Sequence, residues 1–264
     1  MSKVTIRTFW ERKRSAQKIA LLTAYDYPSA CLMDESGIDA ILVGDSMGMA
    51  IMGLPDTLSV TLDDIVHHAK MVRRGARNAL LIADLPFLSY QISPKEALRN
   101  AGRLVTEAGA EAVKLEGGAD KFGPAIKAIL DAGIPVMGHL GLTPQSIHQF
   151  GGFKVQGRDP EARQRLKDEA LGLQEAGCFS LVLECIPAPL AEEITGMLDI
   201  PTIGIGAGAG CDGQVLVFQD ILGWGKTRFA KQYADVRGLT RQAIEDFAAE
   251  VRSGDYPGEE HQYS

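Results

Sequence analysis

The sequence has little of what binding to nucleic acids or membranes requires. Its 27 Lys and Arg are outnumbered by 34 Asp and Glu, which gives a formal net charge of -7, whereas nucleic acids and anionic membranes attract surplus positive charge. No run approaches the roughly 20 apolar residues of a membrane span, and the polar segment 1–17 lacks the apolar stretch of a secretory signal. We therefore expect a cytoplasmic protein that acts on small molecules, with neither nucleic acid nor membrane as a partner.

Cysteines and aromatic residues are also few. The four cysteines, Cys31, Cys178, Cys185 and Cys211, show no C-x-x-C spacing. We therefore expect reduced thiols in or near the core rather than a cysteine metal-binding site. Aromatic residues make up only 6%, while aliphatic residues and 29 glycines dominate. This mixture favours an α/β domain in which short turns join buried strands and helices.

Eight short apolar runs follow one another along the chain and have the composition of buried strands. They cover residues 19–24, 40–44, 80–83, 112–115, 135–140, 180–183, 201–205 and 215–218. Helix-compatible stretches lie between most of them, at 61–74, 93–108, 121–132, 160–176 and 189–198. This alternation predicts right-handed βαβ units and a parallel sheet.

The length and the absence of a linker favour a single closed barrel. The 264 residues are close to the roughly 250 of a (β/α)8 barrel, and no linker rich in Pro, Gly or Ser divides the chain. We therefore predict an α/β fold of the (β/α)8 TIM barrel type, a single domain over residues 1–264 with a short N-terminal extension and a C-terminal helical tail. An open, doubly wound sheet is the alternative.

Four carboxylates end or directly follow predicted strands: Asp45, Asp84, Glu116 and Glu184. An ionised carboxylate in an apolar interior needs water, a cation or a proton partner, and barrel active sites lie at the carboxyl ends of the strands. Asp45 and Asp84 could each cap the helix that follows. Taken with Glu116, however, they predict a hard divalent cation such as Mg2+, which is held by few carboxylates and several waters or substrate oxygens.

Two further side chains, Lys114 and His139, are expected at the same end of the barrel. Lys114 lies two residues before Glu116, so both point to one face of their strand. Either the two residues form a buried ion pair, or Lys114 is functional and binds an anionic substrate or forms a Schiff base with it. Glu184 is the candidate general base, and His139 is either a core histidine or a member of the site. The glycines of 204–210 lack the G-x-G-x-x-G spacing of a dinucleotide site and predict a strand-end turn that approaches the substrate.

Seven motifs in order carry a family resemblance that runs from about Thr8 to His261. They are Thr23-Ala24-Tyr25-Asp26-Tyr27, Val43-Gly44-Asp45-Ser46-Met47-Gly48, Ala83-Asp84-Leu85-Pro86-Phe87, Val113-Lys114-Leu115-Glu116-Gly117-Gly118, Gly138-His139-Leu140-Gly141-Leu142-Thr143-Pro144-Gln145, Leu183-Glu184-Cys185-Ile186-Pro187 and Gly204-Ile205-Gly206-Ala207-Gly208. Together they resemble the ketopantoate hydroxymethyltransferase family. No single motif would be specific, but their conjunction is.

The resemblance implies a (β/α)8 barrel enzyme of pantothenate and coenzyme A synthesis. Such an enzyme transfers a hydroxymethyl group from 5,10-methylenetetrahydrofolate to 3-methyl-2-oxobutanoate and forms 2-dehydropantoate. It also implies a cytoplasmic homo-oligomer, commonly a decamer of five dimers. The implied site residues are Asp45, Asp84 and Glu116 around Mg2+, Asp45, Ser46, Asp84, Lys114 and His139 at the oxo acid, and Glu184 as proton acceptor. The residues that contact the folate are not identified.

One stretch departs from the family pattern. Family members usually carry Pro-Lys-Phe before the final helices, where this chain has Lys226-Thr227-Arg228-Phe229-Ala230-Lys231. The missing Pro near Thr227 predicts a locally different last loop, away from the expected metal and base residues. Two other functions share parts of the pattern: a metal-dependent lyase or aldolase of another 2-oxo acid, and a non-catalytic barrel that binds a small anion.

Overall fold

A computed structural model describes residues 2–225 and 227–263. Lys226, the first residue of the departure from the family pattern, lies outside the described residues. The chain forms two compact units, the first ending at Val217 and the second beginning at Phe218.

Within its described residues, the first unit contains a closed barrel of eight parallel strands. The strands are β1 (Ile19–Thr23), β2 (Ala40–Val43), β3 (Leu80–Asp84), β4 (Ala112–Lys114), β5 (Val136–Gly141), β6 (Ser180–Glu184), β7 (Thr202–Ile205) and β8 (Gly213–Leu216). Each strand pairs with its neighbour in sequence, and β8 returns to β1. The prediction of a (β/α)8 barrel is therefore confirmed, and the open sheet is excluded.

Helices separate successive strands from β1 to β7, as predicted, whereas β7 and β8 are joined by a turn without a helix. The helices are α1 (Ile6–Arg14), α2 (Tyr27–Glu35), α3 (Met47–Ala50), α4 (Leu62–Gly75), α5 (Pro94–Thr106), α6 (Ala119–Asp131), α7 (Ile147–Phe150), α8 (Pro160–Glu175) and α9 (Ala188–Met197), with a 3-10 turn at Pro144–Ser146. Ser93 caps α5 by accepting a hydrogen bond from the Glu96 N–H, as Ser before Pro in a first turn predicts.

The last strand was predicted two residues too late. The apolar run 215–218 suggested it, but β8 is Gly213–Leu216, and Phe218 begins a short helix instead. Gly213 pairs with Ile19, and a Cβ atom on Gly213 would lie 2.4 Å from the Ile19 carbonyl oxygen. A strand that begins with this close approach needs glycine, which a search for apolar runs overlooks.

Helix α1 closes the amino-terminal end of the barrel. Phe9 is fully buried among the barrel's interior side chains. The polar contacts of α1 are an ion pair from Arg12 to Asp39, an ion pair of 2.8 Å from Lys13 to Asp212, and a hydrogen bond from Trp10 Nε1 to the Phe179 carbonyl. Asp39, Phe179 and Asp212 directly precede β2, β6 and β8. Helix α1 therefore contacts the starts of three strands that lie apart in the barrel, and we call this closed amino-terminal end the floor.

The second unit contains α10 (Phe218–Ile221), α11 (Val236–Ser253) and a 3-10 turn at Glu259–His261. Asp235 caps α11 by accepting from the Gly238 N–H. At the departure from the family pattern, the Thr227 hydroxyl donates to Asp220 Oδ2 at 2.6 Å. The single-domain description with a helical tail stays a prediction. None of the helices described is both long and apolar enough to cross a membrane.

Candidate active site

Each of the predicted site residues lies in or just beyond the carboxyl-terminal half of a barrel strand. Asp45 and Ser46 follow β2, Asp84 ends β3, Lys114 ends β4 and Glu116 follows it, His139 lies in β5, and Glu184 ends β6. The parallel register sets Asp84 opposite Lys114 and Gly141 opposite Glu184. We call this end of the barrel the mouth.

Lys114 and Asp84 form an ion pair at the centre of the mouth. Lys114 Nζ lies 2.7 Å from Asp84 Oδ1, and the two side chains are only 5% and 3% exposed. Burial opposes the charge on Lys114, but Asp84, Glu116 and Asp45 together outweigh burial and raise the lysine pKa. The other oxygen of Asp84 accepts the backbone N–H of Asp45 at 3.2 Å. Lys114 therefore carries a stable positive charge among carboxylates.

Asp45 and Glu116 are buried carboxylates held by one residue, Gln145. Asp45 Oδ2 accepts from Gln145 Nε2 at 2.8 Å, and Glu116 Oε2 accepts from the Gln145 backbone N–H at 2.9 Å. Burial, followed by the charge of Asp84, raises the pKa of Asp45 to about 7. Burial and the charge of Asp45 raise the pKa of Glu116 well above its ordinary value. The mouth thus holds more acidic groups than Lys114 can neutralise, and burial favours the protonated forms of Asp45 and Glu116.

His139 lies between Glu116 and Glu184. Its Nδ1 is 3.6 Å from Glu116 Oε1, and its Nε2 is 3.3 Å from Glu184 Oε2. Burial lowers the pKa of His139, against the opposing effect of Glu184, and favours the neutral imidazole. A neutral ring has a single N–H, so His139 can donate to only one of these carboxylates at a time.

Glu184 is fixed through its backbone. Its carbonyl accepts the Leu142 N–H at 2.8 Å, and a Cβ atom at Gly141, where φ is +93°, would lie 2.2 Å from that oxygen. Cys185, the next residue, has a φ of +48°, a conformation that costs a residue with a side chain about 1 kcal/mol or more. The chain therefore turns sharply on both sides of the contact, and Glu184 keeps a side chain that is 14% exposed.

Ser46 is held by a residue to which the sequence assigned no role. The Tyr25 hydroxyl lies 2.9 Å from Ser46 Oγ, and Tyr25 is only 1% exposed. The Tyr25 carbonyl in turn lies 2.6 Å from His68 Nδ1. Because both hydroxyls can donate or accept, this pair can present Ser46 to an anionic ligand.

Comparison with known proteins places this geometry in a family. The sequence model described as ketopantoate hydroxymethyltransferase matches residues 3–259. The chain belongs to the ketopantoate hydroxymethyltransferase family. Curated members named 3-methyl-2-oxobutanoate hydroxymethyltransferase include one from Nitratidesulfovibrio vulgaris strain DP4, 57% identical over 96% of this chain and 83% of that protein. Another, from Clostridium novyi strain NT, is 55% identical over 98% of this chain and 95% of that protein.

Solved structures support the fold of this family member. A phosphonopyruvate hydrolase in complex with oxalate and Mg++ matches with a TM-score of 0.64 and 13% identity, covering 99% of this chain and 93% of that one. A 2,3-dimethylmalate lyase matches with a TM-score of 0.63 and 17% identity, covering 96% and 89%. At these identities the likeness is one of fold alone.

The alternative that Asp45 and Asp84 cap helices is wrong for this ketopantoate hydroxymethyltransferase family member. Ser46 occupies the position before α3, which has no side-chain cap, and Ser93 caps α5. The two aspartates instead contact Gln145 and Lys114 inside the mouth. Both side chains therefore contact residues inside the mouth and not the start of a helix.

Within residues 2–225 and 227–263, no three His, Cys, Asp or Glu side chains stand together as a ready-made metal site. The donor set nevertheless suits Mg2+, which is held by one or two carboxylates and keeps several waters. Asp45, Asp84 and Glu116 supply oxygen donors, and four buried or partly buried carboxylates face one lysine ammonium. A cation would compensate the charge of these carboxylates in their ionised form.

Sequence reasoning missed the roles of Tyr25, Tyr90 and Gln145. The Tyr90 hydroxyl lies 2.9 Å from both the Glu116 carbonyl and Gln145 Oε1. Tyr25 and Gln145 stood inside motifs that carried the family resemblance, so the signal was present. Neither residue is charged, so a pattern of carboxylates, lysine and histidine at strand ends does not single them out.

Proposed function

We propose that the mouth converts 3-methyl-2-oxobutanoate to 2-dehydropantoate, with 5,10-methylenetetrahydrofolate as the one-carbon donor, by enolisation of the oxo acid with Glu184 as proton acceptor. As a member of its family, the chain is a hydroxymethyltransferase of pantothenate synthesis. The observation that carries the mechanism is the convergence of Lys114, three buried carboxylates and the more exposed Glu184 at one end of the barrel. It supplies a positive charge, donors for a cation and a base within one site.

The metal would be Mg2+, held by Asp45, Asp84 and Glu116. When bound, it would stabilise negative charge on the keto oxygen of the oxo acid. Asp84 is shared in this proposal, because one of its oxygens already contacts Lys114. Lys114 would therefore fix the orientation of the Asp84 carboxylate as well as attract the anionic substrate.

Lys114 would bind the substrate as an ammonium. Since the surrounding carboxylates raise its pKa, the amine is kept protonated and is a poor nucleophile. This weighs against the alternative in which Lys114 forms a Schiff base. The Ser46 hydroxyl, with Tyr25 behind it, would complete the recognition of the oxo acid.

Glu184 would remove the proton from C3 of the oxo acid. It is suited to this role because its side chain is 14% exposed, whereas those of Asp84 and Glu116 are 3% exposed. His139, 3.3 Å away, would orient the Glu184 carboxylate whenever Nε2 carries the ring proton. The enolate carbon would then form a bond to the methylene carbon of the folate, while both C–N bonds of that carbon break over the whole reaction and water supplies the hydroxyl group. Tetrahydrofolate leaves with its two nitrogens protonated, one hydrogen coming from C3 of the oxo acid and one from water.

Two assays test the proposal with the intact protein. Formation of 2-dehydropantoate from the two substrates, with Mg2+ and after chelation, tests the reaction and the metal together. Loss of the C3 proton of 3-methyl-2-oxobutanoate to D2O, measured by NMR without folate, isolates the enolisation step. We expect Glu184→Gln to slow both by about 10²- to 10⁴-fold, and Glu175→Gln, on the exposed end of α8, to change neither.

Each unfavourable result would contradict a different part of the proposed mechanism. Full activity after complete chelation would reject the metal, and trapping of substrate on Lys114 by borohydride would restore the Schiff base. Rapid C3 exchange in Glu184→Gln would reject Glu184 as the base. Failure of the native chain to form 2-dehydropantoate, with turnover of another 2-oxo acid, would reject the substrate.

We also propose a cytoplasmic homo-oligomer, specifically a decamer of five dimers, which the family resemblance supports. Light scattering on the purified protein measures this directly as a multiple of the 28.4 kDa chain. A monomer at micromolar concentration would reject it.

A further inference from the structure

We propose that Gln145 is a positioning residue that selects which oxygens of Asp45 and Glu116 are available to a cation. The inference rests on the proposed metal-dependent function and deepens it. Gln145 is neither acidic nor a metal ligand of the expected kind, yet it is 5% exposed and contacts two of the three expected metal carboxylates.

Every hydrogen-bonding position of the Gln145 side chain is used. Its Nε2 donates to Asp45 Oδ2 at 2.8 Å and to the Leu85 carbonyl at 3.0 Å. Its Oε1 accepts from the Tyr90 hydroxyl at 2.9 Å and from Gln91 Nε2 at 3.2 Å. An amide has two N–H donors and one oxygen with two lone pairs, so this environment admits one orientation. Turning the amide over would set its oxygen against the Asp45 carboxylate.

The backbone of the same residue acts on the second carboxylate. The Gln145 N–H donates to Glu116 Oε2 at 2.9 Å. One oxygen of Asp45 and one oxygen of Glu116 are therefore occupied by Gln145, which directs the second oxygen of each, Asp45 Oδ1 and Glu116 Oε1, to other partners. Orientation of ligating carboxylates by hydrogen bonds of this kind is a general way to set metal affinity.

Tyr90 supports the arrangement from behind. It is 2% exposed, its ring packs edge-on against Phe122 with centroids 5.1 Å apart, and its hydroxyl accepts the Glu116 N–H at 3.2 Å. The hydroxyl has one hydrogen, shared between the Glu116 carbonyl and Gln145 Oε1. Tyr90 thus couples the backbone of one carboxylate to the amide that holds the other.

The local fold makes Gln145 rigid. Gly141, with a φ of +93°, turns the chain out of β5, and Pro144 starts the 3-10 turn that contains Gln145. The Ser146 N–H closes this turn on the Thr143 carbonyl at 2.8 Å. A short, proline-started turn directly after a strand leaves little freedom for the backbone N–H that contacts Glu116.

The test is direct titration of Mn2+ alone, as a paramagnetic substitute for Mg2+, followed by electron paramagnetic resonance of the free ion. Gln145→Leu removes the contact with Asp45 and keeps the backbone N–H to Glu116. We expect its Mn2+ Kd to rise by about 10- to 100-fold. Tyr90→Phe should raise it in the same direction by less. Gln164→Leu, which removes an exposed amide that donates to Asp168 on α8, should leave the Kd unchanged.

Thermal midpoints measured on the same samples separate positioning from a purely structural role. Folded Gln145→Leu that binds Mn2+ within twofold of the native chain would overturn the inference while leaving the metal proposal intact. If Gln145→Leu does not fold, an unchanged Kd in Tyr90→Phe would overturn it. A native chain that binds no Mn2+ would overturn the metal proposal and this inference together.

Discussion

Replacing Lys114 by Met should destabilise the barrel strongly, because it leaves Asp84 as an unpaired buried charge. The two side chains are 5% and 3% exposed and 2.7 Å apart, so neither charge is compensated by bulk water. Breaking a buried pair by removing one partner costs about 3–5 kcal/mol. At about 2–4 °C per kcal/mol for a chain of this size, the midpoint should fall by about 6–20 °C.

A second variant tests whether the unpaired charge is the cause. Lys114→Met combined with Asp84→Asn removes both charges, and we expect most of the lost stability to return, since replacing a whole buried pair is often neutral. Lys127→Met is the matched control, because it breaks a pair of 2.9 Å with Asp131 whose members are 74% and 63% exposed. Exposed pairs contribute about 0–1 kcal/mol, so this midpoint should move by less than about 4 °C.

The assay is thermal unfolding followed by circular dichroism, with chelator present so that no cation compensates for the lost ammonium. A Lys114→Met midpoint within about 2 °C of the native value would refute the reasoning, since it would mean that Asp84 is not a buried charge dependent on Lys114. A double variant no more stable than Lys114→Met would refute the assignment to charge and point to lost packing instead.

Three further predictions concern the mouth. In chelator, the free energy of unfolding should fall as pH rises from about 4 to about 7. The folded state raises the pKa of Asp45 to about 7 from 3.8, so it binds more protons than the unfolded chain in this range. Thermal midpoints of the native chain and of Asp45→Asn, measured across this pH range, test this, and an equal dependence on pH in the two proteins would contradict it. Tyr25→Phe removes the 2.9 Å contact with Ser46, a neutral hydrogen bond that contributes about 1 kcal/mol. The KM for the oxo acid should therefore rise about fivefold, and an unchanged KM would reject a role for Tyr25 in substrate binding. Gly141→Ala places a Cβ atom 2.2 Å from the Glu184 carbonyl oxygen and should lower kcat far more than Gly133→Ala, which meets no atom within 4 Å; similar rates for the two would contradict the steric argument.

The barrel was predictable because its strands are buried on both faces. Such strands read as short apolar runs, and the turns between them repeat glycines at 109, 133 and 177 that have positive φ values. The first two residues of β8 do not follow this pattern, because Gly213 lies too close to Ile19 of β1 to carry a side chain and Gln214 is exposed. An apolar sequence pattern therefore locates strands whose residues are chosen for burial, but it misplaces a strand whose first residue is chosen because a side chain would clash.

The site was predictable to the extent that charge marks it. Asp45, Asp84, Lys114 and Glu184 stand out because ionisable groups at the ends of apolar strands require a reason. Gln145 does not, since an amide is common anywhere on a protein surface, and its partner Asp45 is 100 residues away in sequence. Contacts of that range are decided by the closure of the barrel, which no local pattern encodes.

The closure of the amino-terminal end by α1 affects the order in which substrates bind and products are released. Among the described residues, Phe9 and the ion pairs to residues preceding β2 and β8 close the amino-terminal end, so a ligand would reach Lys114 from the carboxyl-terminal end. Under the proposed function, an oxo acid held at Lys114 would bind before the bulkier folate, and tetrahydrofolate would leave before 2-dehydropantoate. The kinetic scheme implied is compulsory-order, with 2-dehydropantoate released last and acting as a competitive product inhibitor against 3-methyl-2-oxobutanoate.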